Sequence, residues 1–97
     1  MYQEQFYKST ARALLAEQVR GDGFDPFYIS DPPNHVYPAQ RHAETKLLAF
    51  LQGDMDVKVK GKIYRCKPGD KLVIPGNVEQ SAMVSPKGCI FFWSEKL

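Results

Sequence analysis

Histidine is scarce in this chain. It has two, His35 and His42, beside two cysteines and a single tryptophan. With so few, no Ser-His-Asp or Cys-His constellation assembles, and neither a phosphate-cradling loop nor a paired-carboxylate signature is present. Long apolar runs are missing too, so no window reaches the length that crosses a bilayer. Residues Glu4 and Lys8 interrupt the start where a signal peptide needs unbroken apolar sequence, and the expected location is the cytoplasm. There, Cys66 and Cys89 are expected to be small buried hydrophobes rather than a disulfide. Charge of one sign is also lacking: 13 basic against 11 acidic residues leave a net +2. Without a basic stripe or polybasic cluster, neither nucleic acid nor membrane is an expected partner.

What is present is enough for one core. Ninety-seven residues, 43% of them hydrophobic, predict one domain spanning 1–97. Residues 1–23 read as an N-terminal helix, 24–38 as an extended arm and 39–97 as the core. From Gln3 to Arg20 the residues are good helix formers, with Tyr7, Ala11, Leu14, Leu15 and Val19 on one apolar stripe and Gly21 as a left-handed cap. Pro26, Pro32, Pro33 and Pro38 hold the arm extended and keep it to a sheet edge or a connecting arm, its aromatics serving core or subunit interface.

After Pro38 the pattern becomes that of short strands between turns. Lys46 to Leu51 is an apolar run, Gln52-Gly53-Asp54 a turn signal, and Met55, Val57 and Val59 alternate with charged residues. Lys60-Gly61 predicts a tight hairpin, and Ile63 to Cys66 returns. Lys71 to Ile74, Glu79 to Val84 and Cys89 to Trp93 follow, separated by Pro/Gly turns, the last being Ser85 to Gly88. No helix intervenes, which predicts an all-β antiparallel barrel or sandwich rather than a parallel sheet. Exposed strand edges and aromatics in so small a barrel predict a homodimer.

The stretch from His35 to Asp56 sets polar, ligand-capable side chains directly before the apolar strand, as at the mouth of a β-barrel. Residues 36 to 85 resemble the cupins, small jelly-roll barrels with two short motifs separated by a hairpin. Gly53, reached through LLAFLQG, matches the glycine of the first motif, and Gly69 and Pro75 in GDKLVIPG match the second. The resemblance implies a small antiparallel jelly-roll barrel of the RmlC-like kind. It also implies four metal-ligand positions, three histidines and a glutamate. In this chain those positions hold Gln40, His42, Gln80 and, in place of the glutamate, Lys46. Only His42 keeps its type.

Three uses of these residues remain open. As a polar patch in an apolar barrel, Gln40, His42, Lys46 and Gln80 would bind a small polar or anionic molecule, with Tyr64 closing the far wall. As a substituted metal site, Gln40, His42, Gln80 and Glu44 would hold a divalent cation in an enzyme similar to the cupin dioxygenases and isomerases. Lys46 opposes this, because an ammonium beside a dication is repelled. As a plugged barrel, Lys46 would pair with Glu44 or another acid and His42 would be an ordinary hydrogen-bonded imidazole.

Overall fold

Two long strands organise the chain. In the computed structural model, which describes residues 1–97, β4 (Lys46–Val59) and β7 (Glu79–Lys96) pair antiparallel along their length, from Lys46 opposite Glu95 to Val59 opposite Gln80. The other strands attach to this pair. β1 (Tyr2–Gln3) pairs with β6 (Lys71–Ile74), and β6 pairs with the first half of β4. β2 (Phe24–Asp31) pairs with the second half of β7. On the opposite layer, β5 (Lys62–Cys66) pairs with the second half of β4, and β3 (Val36–Arg41) with the first half of β7. The two long strands therefore bend from one layer into the other, and the result is an antiparallel jelly-roll barrel.

The bends sit where turn residues had predicted breaks. Gln52-Gly53-Asp54 is not a turn: β4 continues through it with register shifts between Phe50 and Gln52 and between Gly53 and Met55. Ser85 to Gly88 likewise stays inside β7. Gly53 and Gly88 have φ of 72° and 79°, so they supply a backbone kink instead of ending a strand. Lys60 and Gly61, with φ of 53° and 81°, do form the expected tight hairpin between β4 and β5.

Burial on both faces explains the unbroken apolar run that opens β4. Leu48 and Phe50 point into the barrel, where they meet Met55, Val57, Leu72, Ile74 and Phe91. Leu47 and Ala49 point outward and are covered by the helix α1 (Arg12–Gly21) through Leu15 and Val19. Each of those two helical side chains is fully buried, a contribution of about 1.5–3 kcal/mol apiece. The last strand splits in the same way, with Phe91 inside and Phe92 under the helix, so neither face of it waits for a partner.

The N-terminal segment departs from its helical pattern. The helix starts at Arg12 rather than near Gln3, and Tyr2 and Gln3 instead pair with Leu72 and Lys71. Asp70 accounts for the difference. Its fully buried carboxylate accepts hydrogen bonds from the Tyr2 hydroxyl (2.7 Å), the Gln5 amide N–H (2.9 Å) and the Lys67 amide N–H (2.8 Å). Charge-assisted bonds of this kind outweigh a few tenths of a kcal/mol of helix propensity per residue. Gly21 is not left-handed either; that conformation falls on Gly23, with φ of 90°. Leu14 lies off the buried stripe and is exposed. Within the stretch read as an extended arm, residues 24–31 form β2, an edge strand of the sheet that carries Pro26.

Candidate functional site

One cavity opens between the layers at the end where β3 meets β7. Its floor is apolar, formed by Leu48, Met55, Val57 and Phe91, and its rim carries Tyr37, Gln40, Gln80 and Trp93. The free space inside is about 10 Å³, room for roughly one water. A ligand larger than that must sit across the rim.

Gln40 and Gln80 face each other directly across the β3–β7 pair, so two amides meet at one edge of the cavity. Gln80 is buried and Gln40 exposed, which gives the pair one fixed and one adaptable member. Tyr37 is three residues before Gln40, and strict alternation would send the two to opposite faces. A register shift between them, at Pro38-Ala39, brings both to the cavity. The Tyr37 hydroxyl donates to Asp31 Oδ2, and burial together with that carboxylate pushes its pKa well above the ordinary tyrosine value.

His42 and Lys46 lie beside Trp93 and do not line that cavity. The His42 ring lies edge-on to the indole, 5.6 Å between centroids, and its Nε2 is buried with no hydrogen-bond partner. Lys46 is only 3% exposed, and its ammonium donates to Glu95 Oε1 at 2.8 Å. Lys46 and Glu95 are also direct cross-strand partners, and the ammonium sits 5.8 Å from the Trp93 ring centre. The sequence-chosen residues thus fall into two groups: Gln40 and Gln80 line the cavity, and His42 and Lys46 meet Trp93 without lining it. Trp93 is the residue the sequence reading missed. Its signal was the alternation of Phe91, Phe92 and Trp93, which sets the indole on the inner face.

Two of the other candidates lie elsewhere. Tyr64 does not line the cavity; from the middle of β5 its ring packs on Tyr2, 5.2 Å between centroids. Glu44 is exposed on the connection between β3 and β4, and the acid that Lys46 finds is Glu95. His35 is exposed and meets the Tyr37 ring edge-on, 4.7 Å between centroids.

These donors do not fit a divalent metal. An ammonium held in an ion pair stands where a ligand carboxylate would be needed, and the inner set offers one imidazole nitrogen and two neutral amides. No three His, Cys, Asp or Glu side chains converge anywhere. Of the set Gln40, His42, Gln80 and Glu44, the two amides line the cavity and the other two do not.

Residues 26–94 match the family described as the AraC-like ligand binding domain. The chain belongs to that family. Its fold is that of the cupins, as solved structures show. The cupin domain of Cnp3 from Schizosaccharomyces pombe superposes with a TM-score of 0.69 at 16% identity, over 76% of this chain and 52% of that one. An RmlC-like cupin from Shewanella frigidimarina gives 0.69 at 20% identity, over 76% and 66%. KdgF from Halomonas sp. gives 0.66 at 18%, over 77% and 71%. This AraC-like domain thus spans about half the length of the first of these and about two thirds of the second. No curated protein matches its sequence. The matched residues begin inside β2, so α1 and the segment before it lie outside the family match. No helix is long and apolar enough to cross a membrane.

Proposed function

We propose that this domain binds a small polar or anionic molecule at the mouth of its barrel. The observation that carries the reading is the opposed pair Gln40 and Gln80 above an apolar floor, with a buried cation, Lys46, beside Trp93. Amides supply donors and acceptors for hydroxyls or carboxylates, and the apolar floor and indole supply contact area. Membership of a ligand-binding family points the same way.

The chain has one tryptophan, so its fluorescence reports on this rim alone. Sugars, sugar acids, carboxylates and phosphates are to be screened by thermal shift and by Trp93 emission. One class is expected to raise Tm with concentration and to perturb emission saturably, and Gln80→Ala to weaken both. A panel that moves neither signal, or a shift indifferent to Gln40→Ala and Gln80→Ala, would sink the reading.

A homodimer accompanies this reading. β2 is an edge strand with one side unpaired, and it displays Phe27 and Tyr28 at 49% and 41% exposure. Light scattering that returned a monomer at high concentration would remove the dimer. The free, buried state of Cys66 and Cys89 agrees with a cytoplasmic location, to be checked by fractionation.

A further inference from the structure

Lys46 is buried yet under-used. An ammonium carries three donors, and this one makes a single hydrogen bond, to Glu95. On the same indole, His42 Nε2 is buried without a partner. Buried polar groups left with spare capacity are costly, and where two of them flank one aromatic ring the economical explanation is an absent acceptor. The partner already present says which acceptor. Glu95 brings a carboxylate to Lys46 from a side chain that is itself 52% exposed, so only one end of this ion pair is fixed by burial.

The surroundings describe the remainder of the ligand. Trp93 is half-buried, and its cross-strand partner Phe27 is 49% exposed on the same face. The barrel behind the indole has space for about 10 Å³, which bars a bulky body from going deeper. A flat apolar body lying against the Trp93 indole matches this rim.

Resting on the reading of the mouth as a ligand site, we propose that Lys46 and His42 form a carboxylate subsite beside Trp93. Glu95 fills it in the free protein, and the ligand is a carboxylic acid with a flat apolar body. Binding exchanges one carboxylate for another on the same ammonium. No bond is made or broken, and the displaced Glu95 turns to solvent. Because the buried cation keeps an anionic partner in both states, its desolvation is compensated throughout, and discrimination comes from the body of the ligand.

The test follows Trp93 emission in the full chain with three probes: benzoate, benzyl alcohol and inorganic phosphate. Benzoate is expected to bind saturably, and Glu95→Gln, which removes the internal competitor at a half-exposed position, to tighten it about tenfold. Lys46→Met is expected to abolish benzoate binding, and benzyl alcohol to bind neither form. Should Lys46→Met fail to fold by circular dichroism, the Glu95→Gln comparison decides alone. Equal affinity for benzoate and benzyl alcohol, phosphate binding as well as benzoate, or no tightening in Glu95→Gln would overturn the proposal. If the wider panel yields a ligand that depends on Gln80 while benzoate does nothing, this inference fails and the mouth remains a ligand site; if nothing moves Trp93, both fall.

Discussion

A Cβ placed on Gly53 would stand 2.0 Å from the carbonyl oxygen of Gly88, so β4 and β7 touch backbone to backbone where they bend between layers. The bend that gives the barrel its two layers leaves no room for a side chain. Gly53→Ala also forces alanine to a φ of 72°. Strain and clash together are expected to destabilise by about 2–4 kcal/mol, read as a lower urea midpoint. Gly61 is the control, since its φ is 81° but nothing lies within 4 Å of its position. Gly61→Ala therefore carries strain alone, about 1 kcal/mol. Equal losses at the two positions would show that the close approach is immaterial.

The same glycine shows how far the sequence could be read. Gln52-Gly53-Asp54 has turn chemistry, and turn chemistry serves a bulge equally well; only the partner strand decides which. The alternation from Met55 to Val59, the Lys60-Gly61 hairpin and the spacing of Gly69 and Pro75 depend on near neighbours, and they were legible. The start of the helix was not, because Asp70, which holds the first residues off helical geometry, lies 65 positions from Gln5. The candidate site was legible as a set of positions and illegible as a geometry. Gln40 and Gln80 are cross-strand partners that line the cavity, but Tyr64 packs on Tyr2, and His42 and Lys46 meet Trp93 outside the lining. Glu95, far along the chain, could be named as the partner of Lys46 only from strand register.

Alkaline pH is expected to weaken the fold through its thiols. Burial, aided by Asp31 and Asp54, pushes the Cys89 thiol up to about 12 from an ordinary 9.0, and burial with Asp70 raises Cys66 further. A raised folded-state value means that the folded protein holds protons which the unfolded chain releases. The stabilising effect is therefore full below pH 9.0 and erodes as pH climbs toward the folded values. Each thiol contributes a limiting slope of about 1.4 kcal/mol per pH unit. Urea midpoints measured from pH 8 upward should fall, the raised tyrosines joining the thiols as pH approaches their ordinary 10.0, and Cys66→Ala/Cys89→Ala should flatten the part of the fall that lies below that value. A wild-type midpoint constant across that range would contradict the burial of the two thiols.

Metal provides the sharpest test of what the barrel has become. A dication at the four motif positions would meet the Lys46 ammonium, already held by Glu95 at 2.8 Å, and only one imidazole. Protein purified without a tag or chelator is expected to carry far less than one metal per chain, and incubation with iron, manganese, nickel or zinc should leave Tm unchanged. The positive arm rebuilds the site. Gln40→His, Gln80→His and Lys46→Glu together restore three imidazoles and a carboxylate at the four motif positions, counting His42, and remove the buried cation that opposes a metal. Nickel or zinc should then bind stoichiometrically and raise Tm with concentration. Because Lys46→Glu sets a carboxylate opposite Glu95, the triple variant should be less stable than wild type without metal and recover when loaded. Stoichiometric metal on the wild-type chain would reverse the account, since Lys46 would then have to give up its proton or its place.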